Sequence, residues 1–175
     1  YLAHSAGAFK DKLLRQCLSR AKEQGLIQQI GVSVYYPKDI LWLIEEDVDV
    51  DIIQVPFNIF DQRCRPWFST LKKRNVEIHA RSIFLQGLFL MDLNTLPKHF
   101  DSVKGRLADL QQVSKRCSVP LPALLLNHAL MLKEIDKVVI GVAGLSELRE
   151  NIEAYEHMEQ SSLVLSELDD FAIVD

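Results

Sequence analysis

A chain of 175 residues that is 48% apolar, with seven glycines and six prolines, is long enough to bury a core and has the make-up of a packed globule, not of a disordered or low-complexity segment. Its formal net charge of −4, with basic residues scattered among acids and no basic stripe, argues against nucleic acid and other polyanions as partners. No apolar run approaches the ~18 residues that cross a bilayer, and the start Tyr1-Leu-Ala-His4 has neither the basic region nor the cleavage site of a signal peptide, so the reading is cytoplasmic, with no membrane partner.

Tyr1-Leu-Ala-His4 reads as the tail of an apolar strand, as though cut from something longer. Residues 5–8 read as a loop. Residues 9–24 carry Leu13, Leu14, Cys17, Leu18 and Ala21 at helical spacing, and Gly25 ends that helix as a C-terminal cap. Ile30-Gly-Val-Ser-Val-Tyr-Tyr-Pro37 then runs from a short buried strand, with Ser33 at its mouth, into a turn and a helix that Pro37 opens. The layout returns at Asp51-Ile-Ile-Gln-Val-Pro56, at Glu77-Ile-His-Ala-Arg-Ser82 and at Val138-Val-Ile-Gly141. The acidic run 45–51 reads as a solvated connector, since it lacks the glycine and ligand spacing of a calcium loop.

Helices are expected over residues 38–46, 66–74, 101–117 (capped by Asp101), 123–131, 146–157 and 166–173. The one at 123–131 is apolar nearly all round and is expected to be buried. Between the fourth strand and the helix at 101 lies Ser82-Ile-Phe-Leu-Gln-Gly-Leu-Phe-Leu90. So apolar a loop after a strand is expected to be a functional wall, not a plain connector. Cys17, Cys64 and Cys117 are odd in number and lack paired zinc or dithiol spacing, so reduced thiols and no metal are expected. Strands alternating with helices predict an α/β fold with a parallel sheet and active groups at the strands' carboxyl ends.

Four stretches, in order, resemble the C-terminal part of an aldo/keto reductase. Tyr1-Leu-Ala-His4 is similar to the strand end bearing that family's active-site histidine, and Gly31-Val-Ser-Val34 to the strand end that holds the nicotinamide carboxamide. Ile53-Gln-Val-Pro-Phe-Asn58 is similar to its glutamine strand, and Val139-Ile-Gly141 with Leu148-Arg-Glu-Asn151 to its adenosine-end signature. The resemblance runs from residue 1 to about 155. It implies a partial TIM (β/α)8 barrel, strands 4 to 8 with their helices, and residues 1–175 as one incomplete barrel domain. It also implies an NAD(P)H-dependent oxidoreductase that reduces a small-molecule carbonyl or sugar-aldehyde substrate, with NADP or NAD as cofactor.

By that resemblance His4 is the catalytic histidine that bonds the carbonyl oxygen. Ser33 and Gln54 hold the carboxamide, and Arg81 stands where many members stack an aromatic ring on the nicotinamide. Ser82, Gly87 and the amides of residues 85–88 match the loop over the pyrophosphate. Gly141 belongs to the loop before the last helix, and Glu150 and Asn151 match an adenine-contacting pair.

The sequence also departs from the family. Val34 stands where an asparagine is frequent, and Glu147 where an arginine or glutamine is usual, which leaves NADP against NAD open. The family's aspartate, tyrosine and lysine belong to strands before Tyr1, and Tyr35 and Tyr36 are assigned to the wall or surface. These residues alone are therefore expected not to reduce carbonyls. Five strands leave two open sheet edges, to be covered by the rest of a longer chain or by a partner chain. The alternative function is a nucleotide-binding or regulatory protein that keeps the reductase fold without turnover.

Overall fold

A computed structural model describes residues 1–156, 168, 171 and 172. Five parallel strands, β1 (Leu2–Ala3), β2 (Gly31–Ser33), β3 (Ile52–Pro56), β4 (Glu77–Arg81) and β5 (Lys137–Val139), lie side by side in chain order. Helices α1 (Ala6–Phe9), α2 (Lys12–Glu23), α3 (Pro37–Glu45), α4 (Phe68–Lys73), α5 (Asp101–Cys117), α6 (Leu121–Leu130) and α7 (Leu145–Glu156) fall between and after them. A strand needs a crossover to meet its next neighbour in parallel, and the helices supply it. The expected α/β architecture is the observed one.

The strands are short, and their two faces differ because side chains alternate along each strand. Val32, Ile53, Val55, Ile78 and Ala80 are fully buried and form the face that joins the helical core. The opposite face carries Ser33, Gln54 and His79 in one row, paired Ser33 with Gln54 and Gln54 with His79, and Pro56 with Arg81 in the next. Polar residues thus share one side of the sheet, with Ser33, Gln54 and Arg81 toward its carboxyl ends. Gly31 is required by close approach: a Cβ there would meet the Ile52 carbonyl oxygen and lie 2.6 Å from Leu2 Cδ1.

One device recurs at the amino ends of the strands. Asp51, just before β3, accepts from the Ile30 amide at 2.8 Å and from Lys22 Nζ at 2.6 Å. Asp136, just before β5, likewise accepts from the Ile78 amide at 2.7 Å and from Lys72 Nζ at 2.6 Å. Each carboxylate fixes the register of a neighbouring strand and ties it to a helix. Asp51 therefore departs from the solvated connector read from the sequence. Partial burial works against its charge, but the Lys22 and Ile30 donors outweigh that and hold its pKa below the ordinary value.

Several boundaries differ from expectation. Residues 5–8 are not a loop: Ser5 accepts from the Ala8 amide at 3.2 Å and caps α1. Asp11 then adopts an extended conformation and caps α2 by accepting from Leu13 N at 2.8 Å, which splits the single expected helix. Leu13 and Cys17 are exposed, so the stripe that α2 buries is narrower than its apolar pattern. Gly25, at φ +71, follows that helix as expected. Asp101 is the first residue of α5 and not its cap, because a 3-10 turn over Lys98–Phe100 leads straight into the helix. A 3-10 turn over Arg65–Trp67 likewise precedes α4.

The middle of α6, from Ala123 to Ala129, is buried throughout, as its all-round apolar pattern requires. The helix expected over 166–173 lies largely outside the described residues. Among the described residues no helix is long and apolar enough to cross a membrane.

Candidate functional site

Except for His4, the expected site residues fall into two groups at the carboxyl end of the sheet, joined by Arg81. In the first group, Ser33 ends β2 and Gln54 lies beside it in β3. The Ser33 hydroxyl reaches Gln54 Oε1 at 3.4 Å, and Ser33 is only 7% exposed. That leaves one hydroxyl and one amide, side by side and part-buried, facing the polar side of the sheet.

Arg81, the last residue of β4, is locked from three directions. Its Nη2 donates to the Val34 carbonyl at 3.1 Å and its Nη1 to Ser82 Oγ at 3.1 Å, while its guanidinium carbon sits 4.4 Å from the centre of the Tyr35 ring. A planar cation on an aromatic face is favourable, and the carbonyl fixes its rotation. Val34, dropped from the expected contacts for its side chain, contributes through its backbone. Tyr35, read as wall or surface, is the platform under this cation.

The second group lines a cleft of about 390 Å³ between the loop after β4 and the start of α7, where Ser82, Gly87, Gly141, Glu150 and Asn151 all meet. Ser82 (φ 65), Leu85 (φ 46), Gln86 (φ 55) and Gly87 (φ 84) have left-handed backbone. Three of these are not glycine, and each such residue costs of order 1–3 kcal/mol, which a fold sustains only where its surroundings hold it. Asn58 is one such support. It is 2% exposed, its Nδ2 donates to the Ser82 carbonyl at 3.2 Å, and its Oδ1 accepts from the amides of Phe60 and Asp61 at 2.9 Å. A lone amide in the apolar run from Val55 to Phe60 was the sequence signal for it.

The amides expected over the pyrophosphate need a correction. Leu85 N already donates to the Ser82 carbonyl at 3.0 Å and Gly87 N to the Phe84 carbonyl at 2.9 Å, so both are spent on shaping the loop. Gly87 and Gly141 both face open space, since a Cβ on either would meet nothing within 4 Å. On the far wall Asn151 is buried and Glu150 exposed, with Glu150 Oε1 accepting from Ser146 Oγ at 3.2 Å. Glu147, also lining the cleft, accepts from the Ala143 amide at 2.5 Å. The cleft carries two carboxylates, no lysine or arginine is among its described lining residues, and Arg81 reaches it through its bond to Ser82.

His4 stands apart from both groups. It follows β1, one residue past the Ala3–Val32 pair, with its side chain exposed and bonded to none of the described residues. It shares the carboxyl end of the sheet with the others, next in register to Ser33, without a hydrogen bond to either group.

These parts fit a nicotinamide dinucleotide: a part-buried hydroxyl and amide at neighbouring strand ends, a locked cation, and a glycine-lined cleft continuing from it. Parallel strands whose carboxyl ends bear the polar groups define an α/β fold of the barrel-forming kind. The aldo/keto reductase family profile matches residues 8–173, and the chain belongs to that family. Over its full length it superposes on 60% of the holo form of aldo-keto reductase AKR11C1 from Bacillus halodurans, at 20% identity and a TM-score of 0.76. It also superposes, over 97% of its length, on 59% of an aldo/keto reductase from Brucella melitensis, at 18% identity and a TM-score of 0.63. An uncharacterized oxidoreductase, YqkF of Bacillus subtilis (strain 168), is 22% identical over 150 residues, which is 79% of this chain and 48% of that protein. The chain thus spans about half to three fifths of the length of the relatives it matches.

Proposed function

We propose that the protein is the cofactor-facing, C-terminal part of an NAD(P)H-dependent aldo/keto reductase acting on a small-molecule carbonyl or sugar-aldehyde substrate. The observation that carries this reading is the continuous polar track at one end of the sheet, from Ser33 and Gln54 through Arg81 and Ser82 into the cleft at α7. Ser33 and Gln54 would hold the carboxamide of the nicotinamide, and Arg81, fixed on Tyr35, would present its free edge to the ring or to an anionic substrate group. Ser82, Gly87, Gly141, Glu150 and Asn151 would receive the rest of the dinucleotide. The bound cofactor supplies a hydride to a carbonyl carbon. His4 would donate a hydrogen bond to the substrate carbonyl oxygen and orient it, with the tyrosine, lysine and aspartate of such a site contributed from outside these residues. The open edges of β1 and β5 would be covered by that missing part or by a partner chain, in the cytoplasm.

Titration with NADH and NADPH, followed by reduced-nicotinamide emission, tests the reading. Saturable binding of at least one is expected, weakened about tenfold by Gln54→Ala, the scale of one lost hydrogen bond of ~1.4 kcal/mol. No change in emission with either nucleotide contradicts it. A second reading, a nucleotide-binding protein without turnover, is favoured by His4, whose exposed imidazole is oriented by none of the described residues. A tyrosine and a downstream lysine encoded before Tyr1 support the reductase, and their absence supports the second reading.

A further inference from the structure

Resting on the dinucleotide reading above, we propose that His79 is a further cofactor-binding residue, whose Nδ1 accepts a hydrogen bond from the amide N–H of the carboxamide held by Ser33 and Gln54. The three side chains share one face of the sheet and one row across it, with Ser33 paired to Gln54 and Gln54 to His79. Neighbouring strands lie about 4.8 Å apart, so adjacent members of such a row reach one small planar group together. The His79 ring is fixed from the amino-terminal side. Its Nε2 lies 3.1 Å from Glu77 Oε2, two residues earlier on the same strand and face, and 14% of its side chain is exposed. Bonds from Gln29, His79 and Lys137 draw the pKa of Glu77 down to about 2, so this carboxylate is ionised and only accepts. The hydrogen of the neutral imidazole therefore resides on Nε2, and Nδ1 keeps its lone pair. The two ring nitrogens face nearly opposite ways, which turns Nδ1 away from Glu77, and His79 makes no other hydrogen bond among the described residues.

A primary carboxamide brings one carbonyl acceptor and two N–H donors. Gln54 Oε1 accepts from Ser33 Oγ at 3.4 Å, which leaves the amide nitrogen of Gln54 to serve the ligand carbonyl and the Ser33 oxygen to accept one N–H. The second N–H needs another acceptor. Val34 is fully buried and apolar, its carbonyl is taken by Arg81, and Lys137, beyond His79 in the row, only donates. The acceptor that the row itself provides is His79 Nδ1. An amide N–H left unpaired in a part-buried place weakens binding, so the imidazole contributes to the grip on the ring.

The test measures dissociation constants by calorimetry and does not depend on turnover. The intact protein is titrated with NADH and NADPH, and with the acetylpyridine analogue of each, in which a methyl group replaces the amide nitrogen. The carboxamide form is expected to bind about tenfold more tightly than its analogue, the scale of one or two hydrogen bonds. His79→Phe keeps a planar ring without an acceptor and is expected to narrow that ratio about threefold or more. Lys137→Met, beside it in the row, is expected to leave the ratio unchanged. Because each ratio compares two ligands on one variant, a partly unfolded sample does not imitate the effect. No preference for the carboxamide, or a ratio unchanged in His79→Phe, overturns the role of His79. A narrowing as large in Lys137→Met assigns the effect to the charged network around Glu77 and overturns it equally. Binding of neither dinucleotide overturns the functional reading itself.

Discussion

The middle of the sheet and its two margins are built from similar apolar sequence but differ in what holds them. β3 pairs on both sides, over five residues with β4, and its Ile53 and Val55 are fully buried. β1 is two residues long and pairs only with β2, and β5 pairs only with β4 and leaves Val139 40% exposed. The candidate site follows the same division. Ser33, Gln54 and Arg81 sit on doubly paired strands and are bonded to their surroundings, whereas His4, at the margin, is bonded to none of the described residues. Positioning in this molecule therefore decays from the centre outwards, and His4, the residue proposed to orient a substrate carbonyl, has least of it.

The largest expected effect contrasts the two places directly. Ile53→Ala removes a fully buried side chain from the centre, and by analogy with other large-to-small core changes should cost ~2–5 kcal/mol in urea unfolding. Val139→Ala at the margin should stay within about 0.5 kcal/mol. Similar losses at both positions would erase the distinction between centre and margin.

Two glycines sharpen it further. Gly31→Ala pushes a methyl group against the Ile52 carbonyl and Leu2, in the seam between β1 and its neighbours, and should cost ~1–3 kcal/mol. Gly105→Ala, inside α5 where a Cβ meets nothing within 4 Å, should instead stabilise by about 0.5–1 kcal/mol. Thermal unfolding of the two variants should move in opposite directions.

The smallest effect concerns the tether between β4 and the outer strand. Glu77 accepts from Gln29 at 3.0 Å, from His79 at 3.1 Å and from Lys137 of β5 at 3.2 Å, and these bonds lower its pKa from 4.5 to about 2. A carboxyl group with a depressed folded pKa contributes stability above its unfolded value and loses it as pH falls. Glu77 should thus contribute in full above about pH 4.5 and progressively less down to about pH 2. In that window the unfolding midpoint of Glu77→Gln should fall less steeply with acidification than that of the unsubstituted protein, and parallel slopes would show that the tether carries no weight. The group is part-exposed, so the difference in slope should be modest.

Much of the fold was legible because the strands are runs of buried Val and Ile between helical patterns, and all five fall within a residue or so of where the sequence puts them. The split between α1 and α2 was carried by Ser5 and Asp11, both good cap residues, but the unbroken spacing of Leu13, Leu14 and Leu18 hid it. At the site, residues read from strand ends lie together because the sheet itself brings strand ends together. What sequence did not disclose depends on contacts between distant segments, Tyr35 under Arg81 and Asn58 on the Ser82 carbonyl, and on local loop geometry, as with Glu147 on the Ala143 amide four residues before it. The amides of Leu85 and Gly87 are another local case, since only the folded loop shows them bonded to the Ser82 and Phe84 carbonyls.

Hydrogen exchange of the backbone, read by mass spectrometry with and without saturating NADH, tests the central claim that the carboxyl ends of β2 to β5 hold a dinucleotide. Slowed exchange is expected in segments 33–36, 81–91 and 139–151, with segments 26–30, 47–51 and 74–77 at the opposite end of the sheet unchanged. Slowing confined to that opposite end, or bound nucleotide without slowing in the three named segments, would contradict it.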